Sequence, residues 1–199
     1  MKPEETRLLL IRHGEAGRPG VLHGHVDVPL TDRGREQVWR LARRLAEEPL
    51  NAVYSSDLSR ARESARILAE ERGLGVVEDP AFRELSMGAW DGVPVDELLR
   101  REPEALRQWW DDPVCTGPPG GESLRDLARR VLPALERVIR AHPGQTVALV
   151  AHGGVNRVIL LDRLEAPLEA FHRLAQDHAC VNRIRFYPDG AWVVDLVNG

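Results

Sequence analysis

Runs of consecutive apolar residues alternate with amphipathic stretches in the first third of the chain. The apolar runs at 8–11 and 52–54 are typical of strands that are buried on both faces of a sheet. Apolar residues recur at helical spacing between Thr31, a residue type favoured at helix caps, and Pro49, and again over about 58–71. This alternation of strands and helices predicts a parallel sheet.

The same pattern returns in the second half of the chain. The apolar run 146–150 predicts a third buried strand, and a helix is expected to follow it from about Gly154. Ser123 and Asp126 have the spacing of a capping box, which predicts that an amphipathic helix begins there. Pro133 lies inside that helix and predicts a kink.

Glycine and proline mark the irregular segments of the chain. Residues 80–92 and 111–121 contain several of them and are expected to be loops, whereas 94–110 predicts one or two short helices. Near the end, the segments 181–186 and 191–197 flank a Pro-Asp-Gly turn, and they predict a hairpin.

Together these elements predict one α/β domain over residues 1–199. We expect a three-layer αβα sandwich, with a mostly parallel central sheet, helices on both of its faces and a C-terminal hairpin. A chain of 199 residues, of which 43% are hydrophobic, is long enough to bury the core of one such domain. The sequence contains no internal repeat, low-complexity segment or linker.

The charge and composition exclude several classes of function. With a formal net charge of −4, the chain is a poor candidate for nonspecific binding of nucleic acid, which depends on phosphate neutralisation by Lys and Arg. No apolar stretch is long enough to span a membrane, and the polar N-terminus does not resemble a signal peptide. The separated Cys115 and Cys180 suggest neither a disulfide framework nor a zinc site. We therefore expect a cytoplasmic protein without nucleic-acid or membrane partners.

Conspicuous polar groups follow three of the predicted strands. Residues 12–15 read Arg-His-Gly-Glu, residues 55–57 read Ser-Ser-Asp with Arg60 shortly after, and residues 151–154 read Ala-His-Gly-Gly. Parallel strands bring these groups to one edge of the sheet, where ligands of such sheets bind. Two histidines and at least two arginines are then crowded together, which an anion would relieve. A phosphate group is the natural occupant, and helix N-termini at that edge add amide donors.

The Arg-His-Gly-Glu sequence at the end of the first strand resembles the signature of the histidine phosphatase superfamily, also called the phosphoglycerate mutase-like family. A lone Arg-His-Gly is a weak signal, but further segments similar to those of the family follow in the expected order. These are residues 24–31, 55–61, 83–92, 119–123 and 151–154. The resemblance covers about residues 7–160 and implies the phosphoglycerate mutase-like version of the αβα sandwich.

The resemblance implies catalysis through a phosphohistidine. A neutral ring nitrogen of His13 attacks phosphorus, and Glu84 protonates the leaving alkoxide before it takes a proton from the attacking water. His152 is the third catalytic residue that the family's motifs imply. The groups expected to bind the substrate are Arg12, Arg60, Gly14 and Gly153. No metal or other cofactor is expected, because cationic side chains fill the electrostatic role.

The segment after the signature differs from the family pattern. Residues 16–23 are shorter than is usual and contain no asparagine, so one phosphate or substrate contact needs a replacement, for which Arg18 and His23 are the candidates. Several residues also have simpler interpretations. Glu84 could be a surface carboxylate, and Arg62 competes with Arg60 on charge alone.

Other residues of catalytic type have ordinary explanations. Trp109 and Trp110 could either line a lid over the substrate or anchor the core. The remaining histidines lack convincing ligand spacing for a metal, so we interpret them as loop or surface residues. These are His23, His25, His172 and His178.

The function that the sequence favours is hydrolysis of small phosphate monoesters. The short spacing after the signature and the Pro-Gly-Gly-Glu-Ser segment at 119–123 resemble the α-ribazole phosphatase branch of the family. A phosphoglycerate mutase is the nearest alternative, and a catalytically silent domain that binds a phosphorylated ligand is an alternative of another class. The expected partner is a small phosphate ester, and a homodimer is left open.

Overall fold

The computed structural model describes residues 5–199 and centres on one six-stranded sheet. In chain order the strands are β1 (Thr6–Arg12), β2 (Leu50–Ser55), β3 (Val76–Glu78), β4 (Thr146–Ala151), β5 (Val181–Phe186) and β6 (Trp192–Leu196). Their order across the sheet is β3-β2-β4-β1-β5-β6. The first four strands are parallel to one another, and β5 and β6 form an antiparallel hairpin beside β1. This confirms the predicted sheet with its C-terminal hairpin.

Within residues 5–199, six α-helices cover the sheet. They are α1 (Asp32–Arg44), α2 (Ser59–Glu70), α3 (Val95–Arg101), α4 (Pro103–Asp111), α5 (Leu124–Ala141) and α6 (Gly153–Arg163). Residues 94–110 thus contain two short helices. The predicted capping box at the start of α5 is present, because Ser123 and Asp126 each accept the other's backbone N–H. The helix continues across Pro133 as one element.

Two buried clusters show why the helices divide between the faces of the sheet. Residues 8–11 of β1 are fully buried, and alternate residues point to opposite faces. Leu9 and Ile11 pack with apolar residues of α1 and α2, whereas Leu8 and Leu10 pack with those of α5 and α6. The three-layer αβα sandwich is therefore confirmed. None of the helices among residues 5–199 combines the length and the hydrophobicity that a membrane-spanning helix needs.

The structure differs from the predicted elements in two places. The edge strand β3 was not predicted, because Val76–Glu78 is short and largely exposed and has no run of buried apolar residues. Residues 80–92, predicted to be a loop, contain two turns of 3₁₀ helix at Pro80–Phe82 and Gly88–Trp90. Phe82, Leu85 and Trp90 lie in the core that α5 covers, so this connection is packed rather than free.

Candidate active site

The polar groups that follow the strands meet at one edge of the sheet, as predicted. The strands β1 and β4 are neighbours, with Arg12 paired to Ala151, so His13 and His152 follow them side by side. Their ring centroids are 5.0 Å apart. Arg60, in the first turn of α2, and Glu84 line the same pocket of about 280 Å³. The structure therefore brings together the histidines, the arginines and the carboxyl group that the sequence predicted.

The ring of His13 is held in one tautomer. Its Nδ1 lies 2.6 Å from the carbonyl oxygen of Gly14, which can only accept, so Nδ1 carries the proton and Nε2 keeps its lone pair. Burial lowers the pKa of His13 well below its ordinary value, and the guanidinium groups of Arg60 and Arg12 lower it further. The side chain is therefore a neutral imidazole with a free nucleophilic nitrogen.

Gly14 supports His13 from behind. Its N–H donates to the hydroxyl of Ser64, and a Cβ on Gly14 would collide with the backbone oxygen of Gly34 in α1. Both backbone polar groups of Gly14 are thus already engaged within the protein. These contacts give Gly14 a packing role. Its binding to substrate stays a prediction. Gly153, the other predicted glycine, is the first residue of α6.

Backbone carbonyls anchor the guanidinium group of Arg60. Nη1 donates to the carbonyl of Val26 (3.1 Å), and Nη2 donates to those of Gly24 (2.7 Å) and His23 (3.3 Å). Arg60 is only 1% exposed. Burial lowers its pKa, and the Glu84 carboxylate acts against that effect. By contrast, Arg62 forms an ion pair with Glu78. The structure thus places Arg60, and not Arg62, in the pocket.

The guanidinium group of Arg12 is anchored by residues that precede β5. Nη1 donates to the carbonyl of Gln176 (2.5 Å), and Nη2 lies 3.0 Å from Nε2 of His178. Its Nε is buried and has no hydrogen-bond partner among residues 5–199. A buried charged donor without a partner is costly, so this nitrogen is suited to binding an oxygen of an anionic ligand.

His152 has unsatisfied ring nitrogens at the centre of the site. It is fully buried, and neither Nδ1 nor Nε2 has a partner in the described part of the chain. Burial lowers its pKa well below the ordinary value, and so do Arg60, His13 and Arg12. Buried polar groups are normally hydrogen-bonded. The orphaned nitrogens of His152 are therefore suited to a ligand with polar atoms that binds beside His13.

Glu84 faces the pocket from the loop after the 3₁₀ turn at Pro80–Phe82. Its carboxylate accepts the N–H of Gly154, with both oxygens at 3.1 Å, and the N–H of Leu85 at 2.8 Å. A Cβ on Gly154 would collide with this carboxylate, so a glycine is required there for the close approach. The N-terminus of α6 thus positions the predicted proton donor.

An arginine of α5 holds the Glu84 loop in place. Arg130 donates to the carbonyls of Ala81, Arg83 and Glu84, and its Nε and Nη2 also donate to the Glu122 carboxylate. Sequence reasoning missed Arg130. The sequence offered one signal for Arg130. Its ion-pair partner, Glu122, belongs to the 119–123 segment that resembles the family and lies eight residues earlier in the chain.

A second carboxylate organises the loop that anchors Arg60. The oxygens of Asp91 accept the N–H groups of Gly24, His25 and Val26, at 2.8, 2.6 and 2.8 Å. Two of these residues supply carbonyls to Arg60. Because Asp91 is committed to these amides, its role is to shape the pocket wall.

Arg18 and His23 both line the pocket, where the family's asparagine was expected. His23 Nε2 lies 3.2 Å from the backbone nitrogen of Arg18, so it accepts that N–H. Burial, followed by Arg60, lowers the pKa of His23. Its neutral ring and the guanidinium of Arg18 are both placed to replace the missing contact.

His178 lies in a turn before β5, in line with its interpretation as a loop residue, but it is half-buried. Its ring lines the pocket, 5.9 Å from the ring of His13.

Of the two tryptophans, Trp109 is buried in the core, whereas Trp110 is 60% exposed and stacks on His172. Within residues 5–199, no group of three or more His, Cys, Asp or Glu side chains is arranged to hold a metal ion.

A mostly parallel sheet with a buried cluster of histidines and arginines at its carboxyl edge defines a phosphoglycerate mutase-like α/β protein. The family model described as "Histidine phosphatase superfamily (branch 1)" matches residues 8–199. The chain belongs to the histidine phosphatase superfamily, which confirms the family predicted from the motifs.

Individual relatives cover most of the chain. It is 39% identical over 196 residues to a bifunctional protein of Mycobacterium tuberculosis; the match covers 97% of this chain and 54% of the relative, so the chain spans about half of that protein's length. It is 34% identical to phosphoserine phosphatase 1 of Hydrogenobacter thermophilus, with 87% and 83% of the two chains covered. A solved structure of a putative alpha-ribazole-5'-P phosphatase from Escherichia coli is 28% identical, covers 98% of this chain and 96% of its own, and has a TM-score of 0.90.

Proposed function

We propose that the chain is a phosphatase that hydrolyses small phosphate monoesters through a phosphohistidine at His13. One observation carries this proposal. A neutral His13, with Nε2 free, lies in a pocket that also presents Arg12, Arg60 and Glu84. A nucleophile, cationic groups for the phosphoryl oxygens and a carboxyl group for the leaving oxygen are the parts that phosphoryl transfer needs.

The reaction proceeds in two displacements. In the first, Nε2 of His13 forms a bond to phosphorus while the ester P–O bond breaks, and the carboxyl group of Glu84 gives its proton to the departing alkoxide. In the second, the Glu84 carboxylate takes a proton from a water molecule as that water attacks the phosphohistidine. The P–N bond breaks, inorganic phosphate leaves and His13 is restored.

The cationic groups stabilise the charge on the transferring phosphoryl group. Arg12 and Arg60 line the pocket with His13, and the ring of His152 lies 5.0 Å from the His13 ring. The unpartnered nitrogens of Arg12 and His152 are available to the phosphoryl oxygens. Preorganised donors of this kind stabilise a transition state without reorganising during the reaction. We include in the proposal that these side chains suffice and that hydrolysis needs no metal ion.

The size of the pocket favours a small ester. Its volume of about 280 Å³ has room for a phosphate and a compact leaving group. α-Ribazole 5'-phosphate is one candidate, which the similarity to the putative alpha-ribazole-5'-P phosphatase supports. The similarity to a phosphoserine phosphatase equally supports a phosphorylated amino acid, so the proposal extends to small monoesters as a class.

The test is a screen of the purified protein against a broad panel of phosphate monoesters, after exhaustive chelation and without any phosphoryl acceptor. We expect phosphate release from several small esters. Arg60→Gln should abolish most of it, whereas the matched control Arg62→Gln should not, because Arg62 pairs with Glu78 outside the pocket. If no phosphate is released, the assay is repeated with an added acceptor. Transfer to that acceptor alone would indicate a mutase, and binding without turnover would indicate a silent domain.

A further inference from the structure

A turn from the far end of the chain contacts both residues at the end of β1. Residues 176–180 precede β5, and the carbonyl of Gln176 accepts a hydrogen bond from Nη1 of Arg12. In addition, the backbone N–H of Ala179 donates to the carbonyl of His13 at 3.1 Å, and Arg12 N donates to the carbonyl of Cys180 at 3.2 Å. This turn therefore supports both His13 and Arg12 through hydrogen bonds.

Among the described residues, the side chain of His178 is the one in this turn that forms a hydrogen bond with Arg12. Its Nε2 lies 3.0 Å from Nη2 of the guanidinium group. A guanidinium group can only donate, so Nε2 of His178 accepts and carries no proton. The imidazole is therefore neutral, with its hydrogen on Nδ1. A hydrogen bond from a charged donor to a neutral acceptor is among the stronger kinds in proteins.

Two anchors on the terminal nitrogens fix the plane of the Arg12 guanidinium. One is the backbone of Gln176, and the other is the ring of His178. The Nε of Arg12, which has no partner within residues 5–199, is then held 3.5 Å from the position that a Cβ of Gly153 would occupy, next to the N-terminus of α6. Without His178, the guanidinium keeps only one anchor and is free to rotate.

We propose that His178 is a positioning residue, which holds the Arg12 guanidinium for phosphoryl binding, and that protonation of its ring in acid withdraws this support. The proposal rests on the proposed function of the pocket. Once protonated, Nε2 becomes a donor, so it cannot accept from Arg12, and a cationic ring then faces a guanidinium group at 3.0 Å. Both changes push Arg12 out of position.

The surroundings of His178 decide the pH at which this happens. Burial and then Arg12 lower the pKa of His178 from 6.5 to about 4, while Glu15 and Asp177 act in the opposite direction and Arg33 of α1 adds to the lowering. Other charged or titratable groups also face this ring. They are His13 at the end of β1, and Arg40 and Arg44 of α1. The ring is therefore neutral near pH 7 and binds a proton only in acid.

The turn does not depend on the His178 side chain for its shape. The backbone N–H of Asp177 donates to Oδ1 of Asn198 at 2.6 Å, and Nδ2 of Asn198 donates to Oδ2 of Asp177 at 3.0 Å. The carbonyl of Asp177 also accepts the N–H of Cys180. Substitution of His178 should therefore remove one hydrogen bond to Arg12 without unfolding the turn.

The experiment compares His178→Ala and His178→Gln with the wild type and with the control His142→Gln, whose histidine contacts Tyr54 and Gln145 away from the pocket. For each protein, kcat and KM on one monoester are measured from pH 4 to 8, and vanadate binding is measured by calorimetry. Circular dichroism and the Tm establish that each variant is folded. Histidine NMR resonances give the pKa of His178 directly.

We expect His178→Ala to lower kcat/KM and vanadate affinity by about ten- to a hundredfold at pH 7, as loss of a hydrogen bond to a charged group does. Gln keeps an acceptor oxygen that does not titrate, so His178→Gln should recover most of both losses. It should also retain its vanadate affinity below pH 5, where the wild type weakens. The control should match the wild type.

Two results would overturn the proposal. In the first, a folded His178→Ala variant has the kinetics and vanadate affinity of the wild type at every pH. In the second, a folded His178→Gln variant is no more active and binds vanadate no better than His178→Ala. Failure of the proposed function gives a different result. In that case the wild type itself turns over no monoester and never labels His13, while vanadate binding still measures the role of His178. A His178 resonance that titrates near 6.5 would overturn the acid-dependent part.

Discussion

His13 and Glu84 are suited to opposite tasks by the atoms that hold them. The carbonyl of Gly14 fixes the proton of His13 on Nδ1 and leaves Nε2 as a nucleophile. Glu84 instead accepts backbone N–H groups from Gly154 and Leu85 at the edge of the same pocket. In the proposed reaction, the first contact decides which atom attacks phosphorus. The second holds a carboxyl group where a leaving oxygen can receive its proton.

The role of Glu84 can be tested through the leaving group. An alkyl alkoxide must be protonated as it departs, whereas a nitrophenolate leaves largely unaided. Glu84→Gln keeps an acceptor oxygen for Gly154 but has no carboxyl proton, so it should lose much more rate on alkyl than on aryl phosphates, within the roughly 10²–10⁴-fold range of general acids. Single-turnover labelling of His13 measures the step concerned. Equal losses on both substrates would show that Glu84 is not the acid, and Glu63→Gln, on a surface ion pair with Arg35, is the control.

At the scale of elements, α6 contributes its first turn to the site. Glu84 lies against the N-terminus of this helix, and both of its side-chain oxygens lie 3.1 Å from the N–H of Gly154. The helix can approach Glu84 this closely only because residue 154 has no side chain. The loop that carries Glu84 is itself held by Arg130 of α5. Two helices therefore set the position of one catalytic group.

Gly154→Ala should reduce activity without destabilising the fold. Alanine is favoured over glycine inside a helix by about 1 kcal/mol, but its Cβ would displace the Glu84 carboxylate. We expect kcat/KM on alkyl phosphates to fall by at least about tenfold, with a smaller loss on aryl phosphates, and the Tm to stay within a few degrees of the wild type. Gly75→Ala is the control, because a Cβ there meets no atom within 4 Å. Unchanged kinetics in Gly154→Ala would contradict the positioning role of α6.

The sequence predicts the buried elements and the site residues that follow them. It does not predict the residues that hold those site residues in position. Strands β1 and β4 contain runs of consecutive buried apolar residues, which the sequence pattern reveals, whereas the exposed edge strand β3 has no such run. Arg130 and His178 act on Glu84 and Arg12, which lie 46 and 166 positions away in the chain. Contacts of this range arise only when the sheet and its helices assemble, so residue spacing does not reveal them.

At the scale of the molecule, the buried histidines link stability to pH. The pKa values of His13 and His152 are well below 6.5 in the folded state, chiefly because both rings are buried. In the unfolded chain these rings titrate near 6.5. Below that pH the unfolded state binds more protons than the folded state, so stability is lost as the pH falls.

The free energy of unfolding should therefore decrease from pH 7 to pH 5. Each of the two histidines contributes a slope of up to about 1.4 kcal/mol per pH unit below its unfolded pKa. Urea denaturation of the wild type and of His152→Gln at pH 7, 6 and 5 measures this effect, with His142→Gln as the control. The His152 variant should lose less stability over this interval than the wild type and the control do. Parallel pH profiles in all three proteins would show that His152 is not held neutral by the fold.

In the proposed reaction, Nε2 of His13 receives the phosphoryl group, because the hydrogen bond of Nδ1 to Gly14 leaves the lone pair on Nε2. The most direct measurement is mass spectrometry of the protein quenched during turnover under acid-free denaturing conditions. We expect one acid-labile phosphate on His13, formed at least as fast as phosphate is released, and no phosphate on His152. Steady turnover by a folded His13→Ala variant, together with a wild type that never carries phosphate on His13, would contradict the account.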